Sequence, residues 1–420
     1  MEGVVPGDRN RRLVHDITVD VAIVGGGITG VTAARLLNQA GLTVAVLESR
    51  RLGEGETERT SAPLTEMPDL RLERWIGLVG EARARLAVAG QRRAIERVKA
   101  LVKELRIDCQ LETVPAYLFT ETNDDVARVE LEAMAARKLR LNARLVDEVP
   151  LPFPVARALR VEDQAQFHPR EYLLGLAGDI DGQGSHIFER THVLDVDEGG
   201  PCRVMTERGT VSARHVVLAT NVPVLTKLDV HAKVATYRSY ALGIPMPLSQ
   251  PIGLLWDTAE PSHTLRSHSL DGKTYLVVGG QDSHRMGQGG DPRLPLRVLE
   301  DYVSSHFDHE VTPSDFRWSG HVVEAADGLP LVGPTSASER VFIATGYGGN
   351  GIVNGTLAAM VLADEIQGGR ANPWGQLFAP ARLNVPPFVV GTPTSAGGTI
   401  EFEDEGAGVL TSVRRHQYTA

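Results

Sequence analysis

The chain is predicted to have an α/β fold: a discontinuous Rossmann-like domain with an inserted α+β domain built on an antiparallel sheet. Three observations predict it. Residues 21–48 read VAIVGGGITGVTAARLLNQAGLTVAVLE, which is a strand, a glycine turn, a helix and a second strand in succession. A strand, glycine loop and helix recur at 341–366, where VFIAT runs into GYGGNG. Between them lie short strands, two of them joined by the hairpin signal Asp271-Gly272. Changes of pattern set the limits. Residues 17–64, 151–235 and 317–382 form the first domain, 65–150 and 236–316 the inserted one, and 383–420 a Pro/Gly/Ser/Thr-rich tail expected to be weakly ordered.

The first unit carries chemistry as well as structure. Gly25 makes a tight turn, Gly27 lets backbone approach a pyrophosphate, and Gly30 lets helix and strand pack closely. Ile28 and Thr29 open the helix, whose free N–H groups face the phosphates. Gly41 stops it, and the strand at 43–47 ends on Glu48, where an acid can bond a ribose hydroxyl. A bare glycine turn is the competing reading; the two strands, the helix and the acid together weigh against it.

Composition bounds the rest. At 420 residues the chain can hold two or three domain-sized units, and its 42% hydrophobic and 23% charged content is ordinary for a globular protein. A formal net charge of -10 argues against non-specific binding to nucleic acid. No apolar run reaches the roughly 18 residues of a membrane helix, and no early apolar segment follows Arg9, Arg11 and Arg12. A cytoplasmic protein without a membrane span is expected. Cys109 and Cys202 match no metal spacing, so no metal site is expected; they read as two reduced thiols, with a bridge between them left open.

In chain order, 50–69 is a turn-rich loop that returns over the nucleotide. Its Thr57, Arg59, Thr60 and Ser61 are placed to bond phosphates or a ring system, the alternative being ordinary surface turns. Residues 71–105 have helical periodicity, 111–120 reads as a strand and 126–139 as a helix. Residues 157–235 read as a return to the first domain, with a strand at 185–196, a hairpin at 204–211 and a buried strand at 216–218 opening into Ala219-Thr220-Asn221. His168 precedes a proline, which gives it a local, structural role. Strands at 236–242, 254–257, 264–267 and 274–278 and a helix at 294–306 form the inserted sheet, and a glycine-rich loop at 279–291 holds Gln281, His284 and Arg285. The last glycine loop opens a helix at about 352–366, whose N-terminus carries partial positive charge.

These motifs resemble the FAD-dependent oxidoreductases of the D-amino-acid oxidase type, which include glycine oxidase and sarcosine oxidase. The resemblance rests on Gly25 to Gly30 with Glu48, the 55–62 loop, Ala219-Thr220-Asn221, Asp327-Gly328-Leu329-Pro330, and Thr345-Gly346-Tyr347-Gly348-Gly349-Asn350-Gly351. It spans nearly the whole chain. The chain is most similar to the bacterial subgroup that often carries a C-terminal Rieske domain. A Rieske centre needs cysteines, and none follows Cys202, so no working Rieske domain is expected.

The resemblance implies bound FAD and hydride transfer from a C–H beside an amine nitrogen, giving an imine that hydrolyses. As cofactor contacts it implies Gly25, Gly27, Ile28, Thr29, Gly30, Glu48, Ser49, Thr60, Ser61, Val193, Ala219, Thr220, Gly346, Gly348, Gly349, Asn350, Gly351 and Ile352. Three positions depart from the pattern of sarcosine-type members. The strand at 275–278 lacks the lysine that promotes reaction with oxygen, Val353 or Asn354 stands where a lysine holds the substrate carboxylate, and no cysteine lies near 318–324 to attach flavin. Non-covalent FAD is therefore expected, and an amine substrate and an acceptor other than oxygen gain weight.

Arg59, Tyr240, His284 and Tyr347 are the candidate catalytic residues. Arg59 balances charge on the ring or pairs with Glu54, Glu56 or Glu58. Strand alternation puts Arg238 and Tyr240 on one face and Tyr237 on the other. His284 moves protons or is a solvated loop histidine. Trp318 reads as core or pocket wall, and Tyr347 as pocket lining. The expected partners are a small amine or amino acid and an electron acceptor, oxygen or a redox partner. A tailoring flavoenzyme acting on a larger metabolite, and a flavin-holding subunit of a multi-chain dehydrogenase, are the alternatives.

Overall fold

The computed structural model describes residues 11–383 apart from 69–70, 224–228, 247–251, 271, 284–292, 308, 310, 313–314, 337 and 369–371. His284, Arg285 and the tail from 384 onward lie outside the described residues. The first half of the chain runs β1 (Ile17–Val24), α1 (Ile28–Gln39), β2 (Val44–Leu47), β3 (Pro63–Leu64), α2 (Leu72–Val79), α3 (Glu81–Leu105), β4 (Glu112–Thr120), α4 (Val126–Lys138), β5 (Ala143–Val146), β6 (Arg157–Gln166) and α5 (Pro169–Ala177). It continues through β7 (His186–Phe188), β8 (Val193–Asp197), β9 (Cys202–Thr206), β10 (Thr210–Leu218), β11 (Val234–Pro245), β12 (Leu254–Asp257), β13 (His263–Leu270), β14 (Lys273–Ser283), α6 (Leu294–His306), β15 (Phe316–Ala325), β16 (Leu331–Thr335), β17 (Ser338–Thr345), α7 (Gly351–Ile366) and α8 (Pro373–Phe378).

The strands form two sheets. The first has eight strands in the order β16-β17-β10-β1-β2-β7, with the β8-β9 hairpin attached to β10. Strands β17, β10, β1, β2 and β7 are parallel. A parallel sheet must be covered on both faces, which is why VAIV and VAVL are continuous apolar runs and are buried residue by residue. Helices α1 and α7 cover one face together. Their approach is close: a Cβ on Gly355 would stand 2.7 Å from Thr29 Oγ1.

The second sheet has nine strands, in the order β15-β11-β14-β13-β12-β4-β6-β3 with β5 on β6. It is antiparallel except for the β12–β4 pair. One face packs on α6 through Tyr240, Leu242, Leu276, Val278, Leu299 and Val303. The opposite face is turned toward the carboxyl ends of the parallel strands.

Several expectations change. Strands β3, β6 and β15, read from sequence with the first domain, all pair in the second sheet. Their partners are distant in sequence: β6 pairs with β4 along 112–120, and β15 runs beside β11 from Val234 to Gly243. The helix read at 71–105 is two helices, broken at Gly80 with φ 84 and ψ 151, where α2 ends and α3 begins. The strand read at 185–196 splits into β7 and β8 around Arg190, whose φ is 50. The hairpin and buried strand read at 204–218 share one continuous strand, β10, and the glycine-rich stretch from 279 stays in β14 as far as Ser283. Cys109 and Cys202 are both buried and free. No helix among the described residues is long and apolar enough to cross a membrane.

Candidate active site

A cavity of about 640 Å³ lies between the carboxyl ends of β1, β2 and β10 and the inner face of the second sheet. Its first wall is the glycine turn. Gly25 has φ +110, and a Cβ there would come 2.4 Å from the Ala219 carbonyl; a Cβ on Gly30 would come 2.0 Å from the Gly25 carbonyl. Both positions therefore demand glycine for the turn to close against β10. Gly27 and Ile28 line the cavity at the start of α1, which has no acid in its first turn. Glu48 stands at the end of β2 with both oxygens used locally: Oε2 accepts from the Gly26 N–H and Oε1 from the Arg50 N–H, each at 2.8 Å. These bonds aim the carboxylate at the same cavity and leave lone pairs for a ribose.

The loop after β2 forms the next wall. Thr57 Oγ1 accepts from the Ile28 N–H at 3.0 Å, so the loop is bonded to the first turn of α1. Trp318 Nε1 donates to the Arg59 carbonyl at 2.9 Å. Glu56 meets His321 twice, at the backbone N–H (2.7 Å) and at Nδ1 (3.0 Å). Thr60 and Ser61 line the cavity beside Arg59.

The far end is built by the second glycine loop. Gly346 and Gly348 have φ +77 and +60, so each turns the chain in a way side chains resist. Tyr347 is buried, its hydroxyl 3.0 Å from Thr29 Oγ1, and burial pushes its phenol well above the usual range. Asn350 donates from Nδ2 to the Thr65 carbonyl at 2.8 Å, while its buried Oδ1 has no partner among the described residues. Gly351 and Ile352 begin α7, again with no acid in the first turn and no side-chain cap. Two helix N-termini thus border one cavity, with glycines in place of side chains at its tightest points. That arrangement fits an anionic dinucleotide such as FAD.

The wall opposite is the second sheet. Thr264, Arg266, Gly279, Trp318 and Glu324 line it, on β13, β14 and β15. Arg266 is 6% exposed; among the described residues its guanidinium makes a 3.5 Å contact from Nη1 to the Phe167 carbonyl, and Nε has no partner. Burial pulls its guanidinium down to about 10, opposed by Glu112. Burial also pushes the Glu324 carboxyl up, with Arg74 opposing and Asp282 adding to the rise.

The structure gathers most of the sequence-predicted residues at this cavity. Gly25, Gly27, Ile28, Thr29, Glu48, Ser49, Arg59, Thr60, Ser61, Val193, Ala219, Thr220, Tyr347, Gly348, Gly349, Asn350, Gly351 and Ile352 all line it. Gly30 and Gly346 sit behind it, Gly30 against the Gly25 carbonyl and Gly346 against Ala325. Tyr240 borders the cavity, but it is 8% exposed and its side chain belongs to the apolar cluster against α6. A register shift between Arg238 and Tyr240 interrupts the alternation on which their faces were read. Arg59 makes no ion pair with Glu54, Glu56 or Glu58 among the described residues. His284 lies outside the described residues. Sequence reading missed Glu56, Arg266, His321 and Glu324. Arg266 did leave a signal, as a charge in the alternating strand HTLRSHSL, but which face meets the cavity is a tertiary matter.

Comparison with known proteins agrees with this geometry. The sequence model of the D-amino-acid-oxidase-type family described as FAD dependent oxidoreductase matches residues 20–365. YhfW of Bacillus subtilis, provisionally named a Rieske 2Fe-2S iron-sulfur protein, is 31% identical over 378 residues, covering 89% of this chain and 74% of that one. Gamma-glutamylputrescine oxidoreductase of Escherichia coli is 24% identical over 370 residues, 85% of each chain. Among solved structures, glycine oxidase from Geobacillus kaustophilus superposes with a TM-score of 0.71 at 19% identity, over 87% of this chain and 99% of that one, which shows the shared fold. The chain belongs to the FAD-dependent oxidoreductase family of the D-amino-acid oxidase type.

Proposed function

We propose that the chain oxidises a C–N bond of an amine or amino acid by hydride transfer to FAD, giving an imine that hydrolyses to a carbonyl compound and a smaller amine. One observation carries the reading: a single cavity joins a dinucleotide cradle to a wall of buried charged groups. The names of the relatives, gamma-glutamylputrescine oxidoreductase and glycine oxidase, support an amine or amino acid as substrate.

FAD, when bound, supplies the hydride acceptor. The chain's own residues do the rest. The amide groups opening α1 and α7 and the Glu48 carboxylate would hold the cofactor. Hydride loss requires a neutral amine, because the nitrogen lone pair must stabilise the growing positive charge. Glu324 faces the cavity with its carboxyl raised by burial, so its Oε atoms are suited to take the ammonium proton. Arg266 is a buried cation that makes no ion pair among the described residues, with the Glu112 charge as partial compensation; a buried charge short of a direct partner is costly and gains from an arriving anion. We assign it to an anionic group of the substrate. Arg59 and Tyr347 line the cavity and would border the cofactor, and Trp318, lining the same cavity, would wall the substrate.

The test is the visible spectrum of the protein reconstituted with FAD, during anaerobic addition of an amine panel. Bleaching by one amine is expected. Slow recovery in air would indicate an acceptor other than oxygen, and fast recovery with peroxide would indicate an oxidase. Absence of flavin bands after reconstitution overturns the cofactor sites. Bands that no amine bleaches would turn the reading to a flavin-holding electron-transfer subunit.

A further inference from the structure

The turn-rich loop at 49–62 touches both walls of the cavity, and its side-chain tie to the second sheet runs through the Glu56 carboxylate. Glu56 Oε2 accepts from the His321 backbone N–H at 2.7 Å, and Oε1 lies 3.0 Å from His321 Nδ1. The opposite ring nitrogen, Nε2, lies 3.5 Å from Arg238 Nη2. A guanidinium can only donate, so this contact favours the tautomer that carries its ring proton on Nδ1, toward Glu56. The side chains of Glu56 and His321 are 29% and 11% exposed, so the pair is shielded more than a surface ion pair. Gly320 makes room for it, since a Cβ there would lie 3.0 Å from Glu56 Oε2. One residue further, Thr57 bonds the Ile28 N–H at the head of α1. A second tie to β15 runs through loop backbone, from Trp318 Nε1 to the Arg59 carbonyl at 2.9 Å, whereas Leu52 N–H to Glu189, Arg190 N–H to the Arg50 carbonyl and Glu58 to Arg170 reach elsewhere.

We propose that Glu56 and His321 form a latch that keeps the FAD in place: the pair holds the loop down on β15, and through the loop it sets Thr57 and Arg59 against the cofactor. Glu56 and His321 are positioning residues, acting through the loop. The inference rests on the FAD reading above. Loop and helix head line the same cavity, so a cofactor lying on the α1 N-terminus is bounded by the loop and leaves when the loop lifts. Two hydrogen bonds to one carboxylate give the closed position a defined geometry, and removing the carboxylate releases both at once.

The experiment measures FAD release from the holoprotein by the rise of flavin fluorescence on dilution. The variants are Glu56→Ala, His321→Leu, the double variant, and His321→Asn, which keeps a side-chain donor. Each loss variant is expected to release FAD about tenfold faster, the value of a hydrogen-bonded charge. The double variant should be no faster than Glu56→Ala, which already breaks both bonds, His321→Leu, which keeps the backbone bond, should be no faster than Glu56→Ala, His321→Asn should stay near wild type, and the urea midpoints of the apoproteins should not move. Unchanged release in Glu56→Ala overturns the latch, as do multiplicative effects in the double variant. If His321→Leu does not fold, Glu56→Ala and Glu56→Gln decide the matter, with the glutamine variant expected to lie between alanine and wild type. Wild-type protein that holds no FAD overturns the cofactor reading itself, whereas wild type that holds FAD beside an unaffected Glu56→Ala overturns only the latch.

Discussion

Arg266 and Tyr240 show how a side chain acquires or loses a role. Both lie on strands of the second sheet and both touch the cavity. Tyr240 is anchored among leucines on the α6 side, where its contribution is packing. Arg266 is on the cavity side with an unused Nε and, among the described residues, no carboxylate in hydrogen-bonding contact, Glu112 acting on it only through its charge. Arg266→Gln is expected to raise KM by about tenfold to a hundredfold for an amine that carries a carboxylate, the usual loss for a hydrogen-bonded charge pair. The carboxylate-free homologue should change little, and kcat for either should change less than KM. Equal effects on the two substrates would sink the assignment. The glycines of the first turn were legible as chemistry because their spacing states a backbone geometry. Arg266 was legible only as an odd residue in a strand, since no local pattern tells which face of a sheet will meet a cavity.

At the scale of elements, the breaks and joins matter more than the periodicities. Helical spacing from 71 to 105 was correct as helix, yet Gly80 divides it, adopting φ 84 and ψ 151. That backbone region is nearly closed to other residues and costs about 1–3 kcal/mol when occupied by one. A Cβ at Gly80 would meet nothing within 4 Å, so the cost is conformational alone. Gly80→Ala is therefore expected to lower unfolding stability by about 1–3 kcal/mol in urea titrations, with FAD affinity unchanged. A stability loss below measurement would mean that α2 and α3 bend without strain. The strands β3, β6 and β15 teach the same lesson from the other side. Their pattern identified them as strands, but their partners lie far away in sequence, and pairing is decided by the partners.

For the whole molecule, the cavity is the joint between the two sheets. Its walls come from 24–71, 191–222, 237–282 and 318–352, so a bound cofactor touches segments distributed along the chain. Ligand binding to the folded state alone stabilises it by mass action, about 2.7 kcal/mol at a hundred times Kd. FAD is expected to raise the urea midpoint accordingly and to slow hydrogen exchange together in the first glycine turn, the 55–61 loop and the 346–352 loop. Protection confined to the first turn would mean that the cofactor does not span the cavity.

The sequence by itself determined the cofactor end: a strand, three spaced glycines, a helix and an acid state a local backbone geometry, and local geometry is what a contiguous sequence encodes. It also determined the second glycine loop and helix, and through both the family. Only the tertiary structure decided that the two loops border one cavity, that β15 and β6 belong to the second sheet, and that Arg266 and Glu324 line that cavity while the Tyr240 side chain joins the apolar cluster against α6. The physical reason is range. Turns and helix caps are satisfied by neighbours in sequence, whereas the partner of a strand and the compensation of a buried charge come from residues that only folding brings near.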